Sequence, residues 1–149
     1  MTLRFLFLIT LFLSVFDLTA QPIDLLDEYP SSDFHQNRRD ALRELMPKNS
    51  VAVFFSNPVR NRSNDVDYVY HQDPNMYYLS GYTEPHGLLL IFSEPIKIYN
   101  KTVDEVLFVQ ERDEIGEMWN GKRLGVTGAQ DKLRFRLAMT GDQFEHFEL

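Results

Sequence analysis

The chain has 149 residues, is 44% hydrophobic and 25% charged, and carries a net charge of −7 with no cysteine. That length points to one domain, and the composition is that of a globular protein rather than a disordered one. The acidic balance argues against phosphate-backbone binding as the main task, and the missing thiols exclude disulfides, a lipid-anchored cysteine and thiolate metal sites.

Residues 1–20 read as a signal peptide. Arg4 supplies the positive start, Phe5–Phe16 is an apolar run of twelve, and Ala20 is a small residue at the cleavage point. A membrane span needs about 20 apolar residues, and Asp17 interrupts this run too early. Cleavage removes Arg4 and Asp17 together, so the net charge stays at −7. The expected location is therefore periplasmic or secreted, with no membrane span after cleavage. Gln21–Ser32, with two prolines, reads as a linker, and the domain proper as 33–149.

Asp33–Met46 has helical spacing. Asp33 is the expected N-cap, Phe34, Ala41, Leu42, Leu45 and Met46 the expected core face, and Pro47 the stop. Ser50–Ser56 is a β-branched and aromatic run, apolar enough for a strand buried on both faces. Asn57–Asn64 reads as a polar loop. Gly87–Phe92 and Glu105–Gln110 read as strands joined by a connection over Ser93–Asp104, with Ile96–Tyr99 extending an edge. Asp113 caps a short helix over Asp113–Met118, Asn120–Gly128 is a glycine-rich loop, and Ala129–Leu133 forms one helical turn. Thr140-x-x-Gln143 is a capping box that opens a further helix, and the chain reads as C-terminally incomplete there.

Several motifs carry little chemistry. Gly116–Arg123 approaches the phosphate-binding loop pattern, but Arg123 stands where that loop needs a Ser or Thr hydroxyl for magnesium. The four histidines, His35, His71, His86 and His146, include no pair at ligand spacing, and His71 with Asp73 is the nearest local pair. Asp65 and Asp67 read as turn caps or solvated groups. Tyr68, Tyr70, Tyr77, Tyr78 and Tyr82 could form a peptide-binding platform, but core and rim is the preferred reading. Gly81 suits a turn with positive φ. Asn61 and Asn100 begin N-x-[ST] sequons in expected loops.

Two blocks carry a resemblance. Asp65–Phe92 (DVDYVYHQDPNMYYLSGYTEPHGLLLIF) has the Asp-x-x-Tyr-x-Tyr pattern, the Tyr-Leu-x-Gly-aromatic turn, Glu84-Pro85 and a hydrophobic strand. Phe108–Leu133 adds Arg112-Asp113, Glu117, Trp119-x-Gly121 and Arg123-x-Gly125. Both blocks resemble the N-terminal domain of aminopeptidase P, of the creatinase and prolidase-like metallopeptidase family. His71 departs from that pattern, which usually has Arg there, so a fixed charge and a forked donor are lost.

The resemblance implies an α/β fold: a mixed β-sheet flanked by helices, ribonuclease H-like. It implies an exported Xaa-Pro aminopeptidase, releasing the N-terminal residue from peptides with proline second, and a homo-oligomer. Its cofactor would be a pair of manganese ions, held by two Asp, one His and two Glu of a C-terminal catalytic domain; none of the five maps onto this chain. No catalytic residue and no metal ligand is expected here. The domain's implied work is assembly and access, with Trp119 and Arg123 as the residues that contact a neighbouring subunit's site. For Trp119 the alternative is a core anchor among solvated charges. A second function class is a stand-alone, non-catalytic peptide- or protein-binding module of the same fold.

Overall fold

The computed structural model describes residues 29–148. The expected signal peptide and most of the expected linker lie outside the described residues. The elements in order are α1 (Ser32–Leu45), β1 (Val51–Phe55), β2 (Asn61–Ser63), β3 (Val66–Asp67), α2 (Pro74–Ser80), β4 (Leu88–Ile98), β5 (Lys101–Val109), α3 (Glu114–Asn120), α4 (Gly125–Asp131), β6 (Ala138–Thr140) and a 3-10 helix (Gly141–His146). Four strands form one mixed sheet in the order β1-β4-β5-β6, and β2-β3 form a separate hairpin. β1 and β5 run antiparallel to β4, while β6 runs parallel to β5. The architecture is α/β, with a mixed sheet flanked by helices.

β4 and β5 form the centre because both of their faces are apolar. Leu89, Ile91, Leu107 and Val109 point to one side, against Leu79 and Met76 of α2 and Ala129 of α4. Leu88, Leu90, Phe92, Val106 and Phe108 point to the other, with Leu137 and Met139. Each such side chain contributes about 1.5–3 kcal/mol by leaving water. Phe144 and Phe147 meet the Phe108 ring edge-on at 5.2 and 5.3 Å, which seats the 3-10 helix on that second face. The capping box is present, with the Thr140 N–H donating to Gln143 Oε1 at 3.0 Å, though the segment it opens is 3-10 rather than α.

α1 departs from its expected face. Ser31, not Asp33, is the N-cap, accepting from the Phe34 N–H at 3.2 Å. Asp33 instead pairs with Arg134. Serine at 31 has the extended backbone a cap needs, whereas Asp33 is already inside the first turn. Ala41 and Leu45 are exposed, and the stripe that faces inward is His35, Arg39, Leu42 and Met46. Arg39 is fully buried. Its Nε and Nη2 donate to both carboxylate oxygens of Glu105 at 2.7 and 2.8 Å, its Nη1 donates to the Leu79 carbonyl, and its guanidinium lies 4.2 Å from the Phe135 ring centre. Arg43 adds a second cation to Glu105 at 3.1 Å. A fork-shaped donor can satisfy a carboxylate and a carbonyl at once, which is how a charge is tolerated in this core.

Other expectations are corrected by pairing. β1 is an edge strand: Ala52 and Phe54 pack inward, whereas Val51, Val53 and Phe55 are exposed, so it is not buried on both faces. The expected polar loop at 57–64 contains β2 of the small hairpin. The expected connection at 93–104 is mostly strand, because β4 and β5 continue past an irregularity between Ile91 and Ile96 to a tight turn at Tyr99-Asn100. α4 starts at Gly125, within the stretch expected to be glycine-rich loop, and ends at Asp131 rather than Leu133.

Candidate functional site

The segment Glu111–Lys132 carries the two residues singled out for function, and a polar frame holds it to the sheet. α3 is capped by Asp113, whose carboxylate accepts from the Ile115 and Gly116 N–H groups at 3.2 and 3.0 Å. Arg112 donates through Nε and Nη2 to the two oxygens of Glu117 at 2.9 and 2.7 Å. That forked bond holds the Glu117 carboxyl down at about 2 and raises Arg112 further. α3 contains no buried residue. Its apolar residues Ile115, Met118 and Trp119, at helical i, i+3, i+4 spacing, are 74, 82 and 85% exposed. Such a stripe normally faces a core; on α3 it faces away from one, because the polar bonds of Asp113 and Glu117 hold the helix instead.

Beyond α3 the chain turns at Gly121, φ 85°, and runs back to the body of the domain. Arg123 Nη1 donates to the Glu111 carbonyl at 3.0 Å, so this residue braces the loop. The Leu124 N–H donates to Glu84 Oε1 at 2.6 Å, and the Tyr82 hydroxyl donates to Glu84 Oε2 at 3.1 Å. Gly125, φ 65°, lets the backbone pass Arg112: an added Cβ there would meet the Arg112 side chain at 2.6 Å.

Glu84 is the residue that sequence reasoning underused. It lies in the Glu-Pro step, and its carbonyl accepts from Ser56 Oγ and Gln72 Nε2 at 3.1 and 2.9 Å. Gln72 also accepts, through Oε1, from the Asp73 N–H and the Tyr70 hydroxyl. The motif from Tyr70 to Glu84 is therefore two loops on either side of α2, laced together beside the start of β4. Burial pushes the Tyr82 hydroxyl well above its ordinary value, with Glu84 adding to the effect, and burial also raises Tyr70. The tyrosines do not form one platform. Tyr82 is core, Tyr70 and Tyr77 are half-buried, and Tyr68 and Tyr78 are exposed. Gly81 takes φ 71° as expected and closes α2, so close to His35 that an added Cβ would meet its ring at 2.8 Å.

The remaining sequence candidates stay apart. His71 and His86 are exposed, and His35 is buried with Nδ1 2.9 Å from the Tyr78 carbonyl. Asp67 accepts from the Asn61 amide at 3.2 Å, in the β2-β3 hairpin rather than a loop. Glu114–Asn120 is helix, which leaves no phosphate-wrapping loop across Gly116–Arg123. Among the described residues no three His, Asp or Glu side chains come together as a metal site. No helix of the described residues is long and apolar enough to cross a membrane.

The family model described as "Aminopeptidase P, N-terminal domain" matches residues 35–147. The chain belongs to the aminopeptidase P N-terminal domain family. It is 33% identical over 116 residues to the Xaa-Pro aminopeptidase of Haemophilus influenzae, covering 77% of this chain and 25% of the relative. It is 36% identical over 117 residues to human Xaa-Pro aminopeptidase 3, covering 73% and 23% respectively. The solved structure of aminopeptidase P from E. coli in its low-pH form superposes with a TM-score of 0.70 at 32% identity, over 79% of this chain and 26% of that one. The chain thus spans about a quarter of the length of these aminopeptidase P relatives.

Proposed function

We propose that this chain is the N-terminal domain of an exported Xaa-Pro aminopeptidase, which releases the N-terminal residue from peptides with proline second. Family membership and the names of the relatives support the peptidase class. The charged start and apolar run of residues 1–20 support export. The residues present do not fit the manganese pair that the family resemblance implies, since no ligand cluster exists among those described. In this reading the hydrolytic chemistry belongs to the three-quarters of the relatives' length that this chain does not span.

The domain's own part is assembly and access. One observation carries it: Trp119 is 85% exposed at the end of a helix whose apolar side chains Ile115, Met118 and Trp119 all face outward. A stable fold has no need to hold an indole in water through a capped, ion-paired helix, whereas a wall for a neighbouring subunit's site does. Arg123 holds the loop that follows it. The test is expression of the uninterrupted coding sequence that contains this chain. The expected product cleaves an Xaa-Pro peptide with manganese and elutes as an oligomer. A product with no hydrolysis under any divalent metal would favour the stand-alone binding module instead.

A further inference from the structure

A cleft of about 610 Å³ lies between the Glu84 turn, Arg112 and α4, behind the loop that follows Trp119. Its charged lining is Arg112, Lys122, Arg123 and Lys132 against Glu84 and Asp131. In a chain of net charge −7, a cleft where cations outnumber anions runs against the background. The two anions do not cancel the four cations evenly. Both Glu84 oxygens are occupied, by the Leu124 N–H and the Tyr82 hydroxyl. Arg112 is matched by Glu117. Arg123 gives one N–H to the Glu111 carbonyl and shares the Glu117 carboxylate at longer range with Arg112. Lys122 and Lys132 pair with no carboxylate among the described residues. The volume lies within the range of small-ligand clefts, and ammonium groups around such a space select an anion of modest size.

We infer that this cleft binds a peptide carboxylate, so that the domain holds the far end of a short peptide near the Trp119 ridge. The inference rests on the proposed peptidase reading only for the ligand being a peptide. Two lysines without a carboxylate partner among the described residues, lining the same cleft as Arg123, suit a carboxylate better than an amide, because an amide offers one acceptor and no charge. The attraction is between solvent-accessible charges and so weakens as salt rises.

The test uses the full chain and reads backbone amide shifts by NMR. The probes are the tripeptide Ala-Pro-Leu with a free carboxylate, its C-terminal amide, the amide of Ala-Pro-Glu, and inorganic phosphate. The free-acid peptide should shift amides of residues 122–132, and the neutral amide should not. A shift with the Ala-Pro-Glu amide would also support the cleft and would assign the carboxylate to a side chain as well as a C-terminus. Lys122→Gln combined with Lys132→Gln should weaken the acid on the order of tenfold, with an unchanged melting midpoint. Equal shifts from acid and neutral amide, no shift from any peptide, or phosphate binding as tightly as the acid would each overturn the inference. None of these readings involves turnover. An inactive full-length enzyme would therefore sink the peptidase reading while leaving this result standing, and the reverse.

Discussion

The buried charge cluster under α1 makes the sharpest prediction. Arg39 is fully buried and gives four interactions: two to Glu105, one to the Leu79 carbonyl, and one to the face of Phe135. Glu105→Ala removes the counter-charge and leaves a guanidinium in the core with only one carbonyl partner. Breaking a buried pair from one side costs about 3–5 kcal/mol, against a total of about 5–15 for a domain of this kind. At about 2–4 °C per kcal/mol for a chain of this size, the midpoint should fall by roughly 6–20 °C. Arg43 is the internal control. It reaches the same carboxylate at 3.1 Å with a side chain 14% exposed, and its removal strands no fully buried cation, so Arg43→Ala should cost less than Glu105→Ala. The double change Arg39→Met with Glu105→Leu removes both charges and should cost clearly less than the two single losses added, since neither partner is stranded. Urea melts followed by far-UV circular dichroism measure the parent, Glu105→Ala, Arg43→Ala, the singles Arg39→Met and Glu105→Leu, and their double. A Glu105→Ala cost below about 1 kcal/mol, or a double change equal to the sum, would refute the reasoning.

Three further outcomes follow from the same structure. Trp119→Ala should leave stability within about 1 kcal/mol, because the indole is 85% exposed, and on the proposed function should lower hydrolysis by a longer protein that carries this domain; a large loss in a denaturant melt would make Trp119 structural. Glu117 is held at about 2 against an ordinary 4.5, so its bond to Arg112 contributes in full above pH 4.5 and is lost as pH falls from there through about 2. Trp119, the single tryptophan of the chain, should report this loosening of α3 by fluorescence, and Glu117→Gln should abolish the pH step; a step that survives that change belongs to another group. Gly81→Ala should destabilise by roughly 1–2 kcal/mol from its φ of +71°, with more from the approach of a Cβ to within 2.8 Å of the His35 ring, and a thermal melt within 2 °C (about 0.5 kcal/mol) of the parent would contradict this.

Local rules were legible where the deciding partner is close in sequence. Asp113 caps α3 through N–H groups two and three residues on. Gln143 closes its box onto Thr140 across three residues, and Gly81 ends α2 with a backbone that other residues resist. The family blocks were legible for the same reason: Tyr70, Gln72 and Glu84 bond to one another within a span of fourteen residues. What the tertiary structure decided depends on partners far along the chain. Arg39 looks like a solvent-facing helix residue until Glu105, 66 positions later, is laid beside it. Hydrophobic periodicity places only part of the buried face of α1: Leu42 and Met46 pack inward as expected, but Ala41 and Leu45 face water and a paired arginine takes a core position that the pattern reserves for leucine. β1 has the composition of a central strand, yet among the described residues it pairs with β4 alone, and nothing there covers the face that carries Val51, Val53 and Phe55. Trp119 was placed outward by the family resemblance, whereas helical periodicity taken alone points the other way. Its apolar stripe predicts burial, but the Arg112–Glu117 fork and the Leu124–Glu84 tether hold α3 and its loop with that stripe turned outward.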